Sequence, residues 1–278
     1  MSAGPIRIAI AGAAGRMGRS LIDLSRESSD LAITAALERE GSPHLGRDAG
    51  IVAGGEAVGV PVTGKIDEPA ERGIHKGFDV LIDFTMPQAT LEHLAFCRAA
   101  GRRMVIGTTG LTEEDRAVVV EASADCAIVM APNMSVGVNV CLKLLQIAAR
   151  ALGEDYDVEI VDAHHRHKVD APSGTALRMG EVVAAASGRD LGDCAVYTRH
   201  GMVGGRPARA IGFATLRAGD IVGEHKVLFA GQGERIEIAH LATSRTVFAR
   251  GALLAARWVM DRGPGLYDMQ DVLGLKAI

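Results

Sequence analysis

The sequence predicts an α/β protein: an N-terminal doubly wound parallel sheet interrupted by an inserted α+β domain of mixed sheet. Three observations predict it. Short apolar, β-branched runs alternate with helical patterns as far as Met130, which is the signature of parallel strands joined by helices. The first of these runs enters a glycine-rich turn, Gly12-Ala13-Ala14-Gly15-Arg16-Met17-Gly18, that opens a helix. Beyond about residue 135 the pattern changes to strand-like runs separated by short turns, as in a mixed or antiparallel sheet.

Taken in order, Pro5 to Ala11 reads as a buried strand, Gly12 to Gly18 as a turn, and the residues after it to about Ser25 as a helix. Glycines at this turn let backbone approach a pyrophosphate, and strand, turn and helix together make the Rossmann-type context such a motif requires. Leu31 to Leu37 is a second strand, ending in Glu38-Arg39. An acid there suits ribose hydroxyls, and an adjacent arginine suits the 2′-phosphate of NADP. Residues 41–65 are rich in glycine and proline and read as a long loop. Asp79 to Phe84, Arg103 to Ile106 and Ala127 to Met130 are further strands, with helices over Gln88 to Ala100 and Glu113 to Ala124. Their ends carry Phe84-Thr85, Gly107-Thr108-Thr109 and Ala131-Pro132-Asn133-Met134. In an open parallel sheet such ends lie along one edge, where ligands bind.

A helix over Gly137 to Leu152, with Leu142, Leu145, Ala148 and Leu152 as its apolar stripe, leads into the second domain. There Ile211 to Leu216, Ile221 to Phe229 and Arg235 to Ala242 read as strands in hairpins. A last helix, Ser244 to Met260, returns to cover the first sheet.

Composition narrows the function. The chain has 278 residues, 48% hydrophobic and 23% charged, enough for one large domain or two ordinary ones. A net charge of -4 argues against a general nucleic-acid binder. The N-terminus does not read as a signal peptide, and no apolar run reads as membrane-spanning, so a cytoplasmic protein is expected. Cys97, Cys126, Cys141 and Cys194 form no CxxC pair, and reduced thiols are the default.

The basic residues concentrate in one place. After the strand Val158 to Ala163 come His164-His165-Arg166-His167-Lys168, then Asp170-Ala171-Pro172-Ser173-Gly174-Thr175. Ser173 caps a helix running from about Thr175 to Ala186. Cationic side chains and helix N–H groups then face one space, which suits a small ligand with carboxylates and supplies proton donors near neutral pH. Two other readings stand beside this one. The cluster is a solvated surface, or His164, His165 and His167 hold a metal. The strand alternation puts His165 and His167 opposite His164 and Arg166, which is poor for gathering three ligands.

The motifs Gly12 to Gly18, Gly107-Thr-Thr-Gly110, Ala131 to Asn139, Glu159 to Leu177 and Gly219-Asp-Ile-Val-Gly-Glu-His225 together resemble the 4-hydroxy-tetrahydrodipicolinate reductase (dihydrodipicolinate reductase) family over nearly the whole chain. The resemblance implies a dinucleotide domain of residues 1–135 plus 246–278, and a substrate and tetramerisation domain of residues 136–245. It implies that Gly12, Ala13, Ala14, Gly15, Arg16, Met17, Glu38, Arg39, Gly107, Thr108, Thr109, Ala131, Pro132, Asn133 and Met134 contact NADH or NADPH. His164 is then the proton donor or acceptor and Lys168 the proton donor, with His165, Gly174 and Thr175 on the substrate carboxylates. No metal is implied. The reaction implied is reduction of a cyclic unsaturated imine dicarboxylate in the diaminopimelate route to lysine, by a homotetramer. Two other functions compete with this: a semialdehyde dehydrogenase using Cys141, and a dinucleotide-sensing or metal-binding regulator.

Overall fold

The computed structural model describes residues 4–65 and 77–278. The chain forms two compact units, Met1–Val136 with Thr246–Ile278, and Gly137–Arg245.

The first unit begins with β1 (Ile6–Ala11), α1 (Arg16–Arg26) and β2 (Leu31–Leu37). Next come α2 (Ala49–Ala53), β3 (Val62–Thr63), β4 (Val80–Asp83) and α3 (Pro87–Ala99). Then follow β5 (Arg103–Ile106), α4 (Glu113–Ala122) and β6 (Ala127–Met130). All of β4 and the last four residues of β1 are buried, as expected for strands covered on both faces. Helix α1 buries Gly18, Leu21, Ile22 and Ser25, one stripe at helical spacing. Proline at the first position opens α3, and a Thr112–Asp115 capping box opens α4.

The stretch 41–65 is more ordered than its composition suggests. Asp48 organises it: its carboxylate accepts from the backbone N–H groups of Gly50, Ile51, Val58, Gly59 and Val60. That side chain caps α2 and folds the chain back so that β3 pairs with β2. A single acid satisfying many donors leaves no periodic trace in a sequence.

The second unit holds α5 (Val136–Leu152), β7 (Asp157–His164), α6 (Gly174–Ala186) and α7 (Leu191–Cys194). It continues with β8 (Ala195–Val196), β9 (Ile211–Arg217), β10 (Gly223–Ala230) and β11 (Arg235–Ala242). The strand order is β11-β10-β7-β9-β8, so β7 is central. It pairs parallel with β9 and antiparallel with β10. The sheet is mixed, but β9 and β10 are not the hairpin that their short connection suggests. Residues 218–222 instead pass over the end of β7, where Ala218 N–H donates to His164 C=O at 2.9 Å and Arg166 N–H donates to Gly219 C=O at 3.2 Å. Only β10 and β11 form a hairpin among the three.

Helix α5 buries Val138, Cys141, Leu145 and Ala149. Its other side exposes Val140, Leu144 and Ile147. Because both sides are apolar, the stretch Val136–Asp155 has a mean hydropathy of 1.3. Among the described residues it is long and apolar enough to cross a membrane, contrary to the sequence expectation. The same composition serves a core helix, and Cys141, Leu145 and Ala149 lie in the core of the second unit with Val158, Ile160, Val227 and Phe229.

The chain returns to the first unit as α8 (Thr246–Trp258), β12 (Gly265–Tyr267) and α9 (Met269–Val272). Ala249, Ala252, Leu253, Ala255 and Ala256 of α8 join the same core as Leu21 and Ile22 of α1. The first sheet is then seven strands in the order β12-β6-β5-β4-β1-β2-β3, all parallel. The order reverses between β1 and β4, and a ligand crevice in such sheets opens there, beyond the strand ends.

Candidate active site

In the first unit the pairing register sets one row of residues across the sheet. Leu37, Ala11, Asp83, Ile106 and Met130 stand side by side on five neighbouring strands. The next residue on each is Glu38, Gly12, Phe84, Gly107 and Ala131. The five predicted strand ends therefore share one edge.

The glycine turn is built for close backbone approach. Gly12 has φ +68°, which favours glycine, and a Cβ on Gly18 would stand 2.1 Å from Gly12 O. Gly18 is thus needed for α1 to pack on its own turn. Helix α1 has no side-chain cap and no acid in its first turn, and Arg16 stands at its start. An uncapped helix N-terminus beside a cation fits a pyrophosphate. The Glu38 carboxylate accepts from Ala14 N–H at 2.9 Å and from Arg39 N–H at 3.2 Å, which ties the end of β2 to the turn. The exposed Arg39 guanidinium follows it. These residues fit a nicotinamide dinucleotide.

Beneath this edge lies a buried network that the sequence did not disclose. Asp83 is fully buried, and Oδ1 accepts from Thr85 N–H at 2.8 Å and from the Thr85, Thr90 and Thr108 hydroxyls. Its Oδ2 meets His93 Nδ1 at 2.7 Å. Burial opposes ionisation, but His93 and Thr85 hold the Asp83 carboxyl below the usual range. Thr108 is therefore anchored inward by its hydroxyl, while Thr109 is exposed. Gly107 packs under Phe84, whose ring a Cβ would meet at 2.1 Å. Ala131 and Met134 are buried, and α8 closes on them: a Cβ on Gly251 would stand 1.7 Å from Met134 O. Pro132 is exposed, and Asn133 Oδ1 accepts from Ser135 N–H at 2.9 Å.

In the second unit β7 delivers His164 at its end and the cationic loop follows. Ser173 caps α6, its hydroxyl accepting from Ala176 N–H at 3.2 Å. No atom lies within 4 Å of where a Gly174 Cβ would stand, so the Gly174–Thr175 turn opens outward. His165 Nε2 lies 3.4 Å from Arg245 Nη2, and the His165 and His167 rings are 6.3 Å apart. Lys168 Nζ pairs with Asp170 at 2.8 Å. His164 turns inward instead: Nδ1 is 2.7 Å from Asp162 Oδ1, and its ring stands edge-on to His225 at 5.1 Å. Burial pulls the His164 pKa down, Asp162 opposes that, and Lys168 and Arg217 add to it. His225, more deeply buried, is pushed down to about 4.

Among the described residues the group close enough to share an ion is Asp162, His164 and His225, not the three loop histidines. Cys141 is buried, with its Sγ 3.8 Å from Ala239 O, and burial pushes its thiol pKa up. That is the setting of an inert core thiol, not of a nucleophile. The sequence missed Asp83, His93, Asp162 and Arg217. For Asp83 a signal was present, since it is a carboxylate that closes a run of buried strand residues, whereas Asp162 lies within β7, where buried and half-buried residues alternate.

Fold and site define a class, the α/β proteins that hold a dinucleotide on a parallel sheet and carry a second, mixed-sheet unit. Comparison with known proteins narrows it. Family models described as dihydrodipicolinate reductase, N-terminus, and dihydrodipicolinate reductase, C-terminus, match residues 6–134 and 137–273. The chain belongs to the dihydrodipicolinate reductase family. A 4-hydroxy-tetrahydrodipicolinate reductase of Methylococcus capsulatus is 60% identical over 272 residues, 98% of this chain and 99% of the relative. That of Nitrosospira multiformis is 56% identical over 98% of both chains. Among solved structures, dipicolinate-bound dihydrodipicolinate reductase from Paenisporosarcina sp. TG-14 superposes with a TM-score of 0.71 at 23% identity, covering 96% of this chain and 98% of that one. A myo-inositol dehydrogenase from Corynebacterium glutamicum gives 0.57 at 14%, covering 98% of this chain and 94% of that one. These two likenesses speak for the fold.

Proposed function

We propose that this chain is an NAD(P)H-dependent reductase of 4-hydroxy-tetrahydrodipicolinate. It acts through dihydrodipicolinate, formed as water leaves, and yields tetrahydrodipicolinate in the diaminopimelate route to lysine. Family membership supports the reaction. The single observation that carries the reading is the cationic turn from His164 to Thr175, set at the start of a helix capped by Ser173. A planar ring with two carboxylates meets there both fixed N–H donors and side-chain acids.

When bound, reduced nicotinamide supplies the hydride that adds to C4 of the substrate's conjugated imine. The chain's residues do the rest. On the dinucleotide domain, taken as residues 1–135 and 246–278, Gly12 to Met17 cradle the pyrophosphate and Glu38 takes ribose hydroxyls. Arg39 stands where a 2′-phosphate would lie, so both NADH and NADPH are expected. Gly107 to Thr109 and Ala131 to Met134 line the remainder of the same edge. On the substrate domain, taken as residues 136–245, His165, Gly174 and Thr175 hold the carboxylates. Hydride addition leaves an electron-rich enamine, and Lys168 or His164 delivers the proton that quenches it at the neighbouring ring carbon.

The second unit also builds a homotetramer in this reading. The edge strand β11, which exposes Ile236 and Leu241, supports that assignment. A cytoplasmic setting is in keeping with four free thiols.

The test is oxidation of NADH and NADPH followed optically with enzymatically generated substrate. His164→Ala and Lys168→Ala should each lower turnover by ~10²–10⁴ while NAD(P)H still binds, the range expected for a lost acid. Wild-type turnover in both variants would remove these two residues from the chemistry. A protein that leaves both nucleotides unoxidised would end the proposal.

A further inference from the structure

Asp162 has no part in the reading above, yet its carboxylate meets four residues of the second unit's site. Oδ1 lies 2.7 Å from His164 Nδ1 and 3.5 Å from His225 Nε2. Oδ2 accepts from Ser173 N–H at 2.9 Å and from Arg217 at 3.1 Å. The group is 1% exposed. We propose that Asp162 is the positioning residue of His164. It holds the imidazole through Nδ1–H, leaves Nε2 as the atom that meets substrate, and fixes the start of α6 to the same carboxylate. The inference rests on the reading of His164 as a proton carrier.

Strand geometry makes the pairing natural, because residues 162 and 164 point to the same face of β7. His164 Nδ1 and Asp162 Oδ1 are both buried and stand 2.7 Å apart, but off the line of a good hydrogen bond, and neither has a hydrogen-bond partner elsewhere. A carboxylate only accepts. A bare Nδ1 would be repelled by the carboxylate at 2.7 Å in a buried place, so the short approach favours a proton on Nδ1. Nε2 faces the backbone of Gly223, where a Cβ would stand 3.0 Å away. A side chain at this position would crowd the ring.

Arg217 completes the support. It donates to Asp162, and also to Asp170 C=O at 2.6 Å, so the strand end and the loop are braced by one guanidinium. Burial opposes the Asp162 charge, but Ser173 and Arg217 hold the carboxyl below its usual range. Arg217 also weighs against an ion at Asp162, His164 and His225. A cation there would sit beside the guanidinium, and His225 Nε2 is already 2.9 Å from Ser173 Oγ.

In the proton step, the Nε2–H bond of protonated His164 breaks and its electron pair stays on the ring. The substrate's enamine π pair forms the new C–H bond, and the imidazole ends neutral with Nδ1–H still on Asp162. The charged or titratable groups facing His164 are Asp162 on β7, Lys168 in the loop, Arg217 at the end of β9 and His225 on β10.

The test uses the full chain with Asp162→Asn, Asp162→Glu and His164→Ala. Asp162→Asn should lower kcat by ~10²-fold, the cost of a misplaced reacting group, with NAD(P)H binding unchanged. Because the carboxylate favours protonated His164, its loss should move the alkaline limb of the kcat profile to lower pH. Asp162→Glu should restore part of the rate and return the limb towards its wild-type place. Nitrogen NMR of wild-type protein should find neutral His164 protonated on Nδ1. Protonation on Nε2 would overturn the inference even if Asp162→Asn does not fold. So would an unmoved limb in an Asp162→Asn enzyme of wild-type rate. Stoichiometric Zn²⁺ binding to wild type that both Asp162→Asn and His164→Ala abolish would replace positioning by a metal site. Full activity in His164→Ala is a different result, because it removes His164 itself from the reaction.

Discussion

Two buried carboxylates, Asp83 at the end of β4 and Asp162 within β7, each stand 2.7 Å from a histidine Nδ1. Neither is at the surface where a charge is cheap, so each must be saturated by donors. Asp83 is, by Thr85, Thr90, Thr108 and His93. Asp83→Asn keeps the shape and removes the charge, leaving His93 beside a neutral amide. A hydrogen bond to a charged group is worth ~1.5–3 kcal/mol, so urea unfolding should show a loss near that size. A loss under about 1 kcal/mol, the worth of an exposed pair, would show that the network is ornamental. The pH dependence has a definite sign. The folded pKa of Asp83 lies below its unfolded value, about 3.9 for a free aspartate. Its contribution is therefore complete above about pH 3.9 and lost as pH falls through the folded value. Asp83→Asn should flatten the acid side of the stability curve in that window.

At the scale of elements, the strand–turn–helix at the N-terminus decides how closely backbone approaches a ligand. The glycines there do two different jobs. Gly12 adopts a left-handed φ of +68°, and Gly18 leaves no room for a Cβ against Gly12 O at 2.1 Å. Gly18→Ala must shift backbone, since a carbonyl oxygen and not a flexible side chain stands in the way. Overpacking of this kind costs ~1–3 kcal/mol, and the displaced turn should bind NAD(P)H more weakly. Cofactor fluorescence titration beside thermal unfolding would show both effects. Wild-type affinity in a stable Gly18→Ala protein would mean that the turn is not the pyrophosphate site. The other element that governs the site is the connection 218–222. By crossing the end of β7 instead of turning back on β9, it brings Gly223 and His225 to His164.

At the scale of the whole molecule, two units share the work with separate cores, and the first is completed only by chain that follows the second. The second unit's sheet ends in β11, an edge strand whose Ile236 and Leu241 side chains are 39% and 61% exposed. If that strand builds the tetramer, Leu241→Asp should yield a smaller species by sedimentation while each chain keeps its fold. A tetramer of undiminished stability would place the assembly surface elsewhere.

The residues alone determined a good deal. Alternating apolar runs and helical patterns told of a parallel sheet, because such strands are buried on both faces and must be joined by helices. The glycine turn and the His164 to Thr175 segment were legible because their residue types are rare together and local in the chain. The stretch 41–65 and the β9–β10 connection were not, since Asp48 and the crossing over β7 act between residues that no spacing rule links. The two faces of α5 likewise concealed a helix long and apolar enough for a membrane. Tertiary structure alone decided which polar atoms are buried together. Asp83 meets His93 across a strand and a helix, and Asp162, Arg217 and His225 meet from three strands of one sheet. A carboxylate reads the same in a sequence whether water or a histidine faces it, and burial, which settles how it holds a proton, is a property of the folded chain.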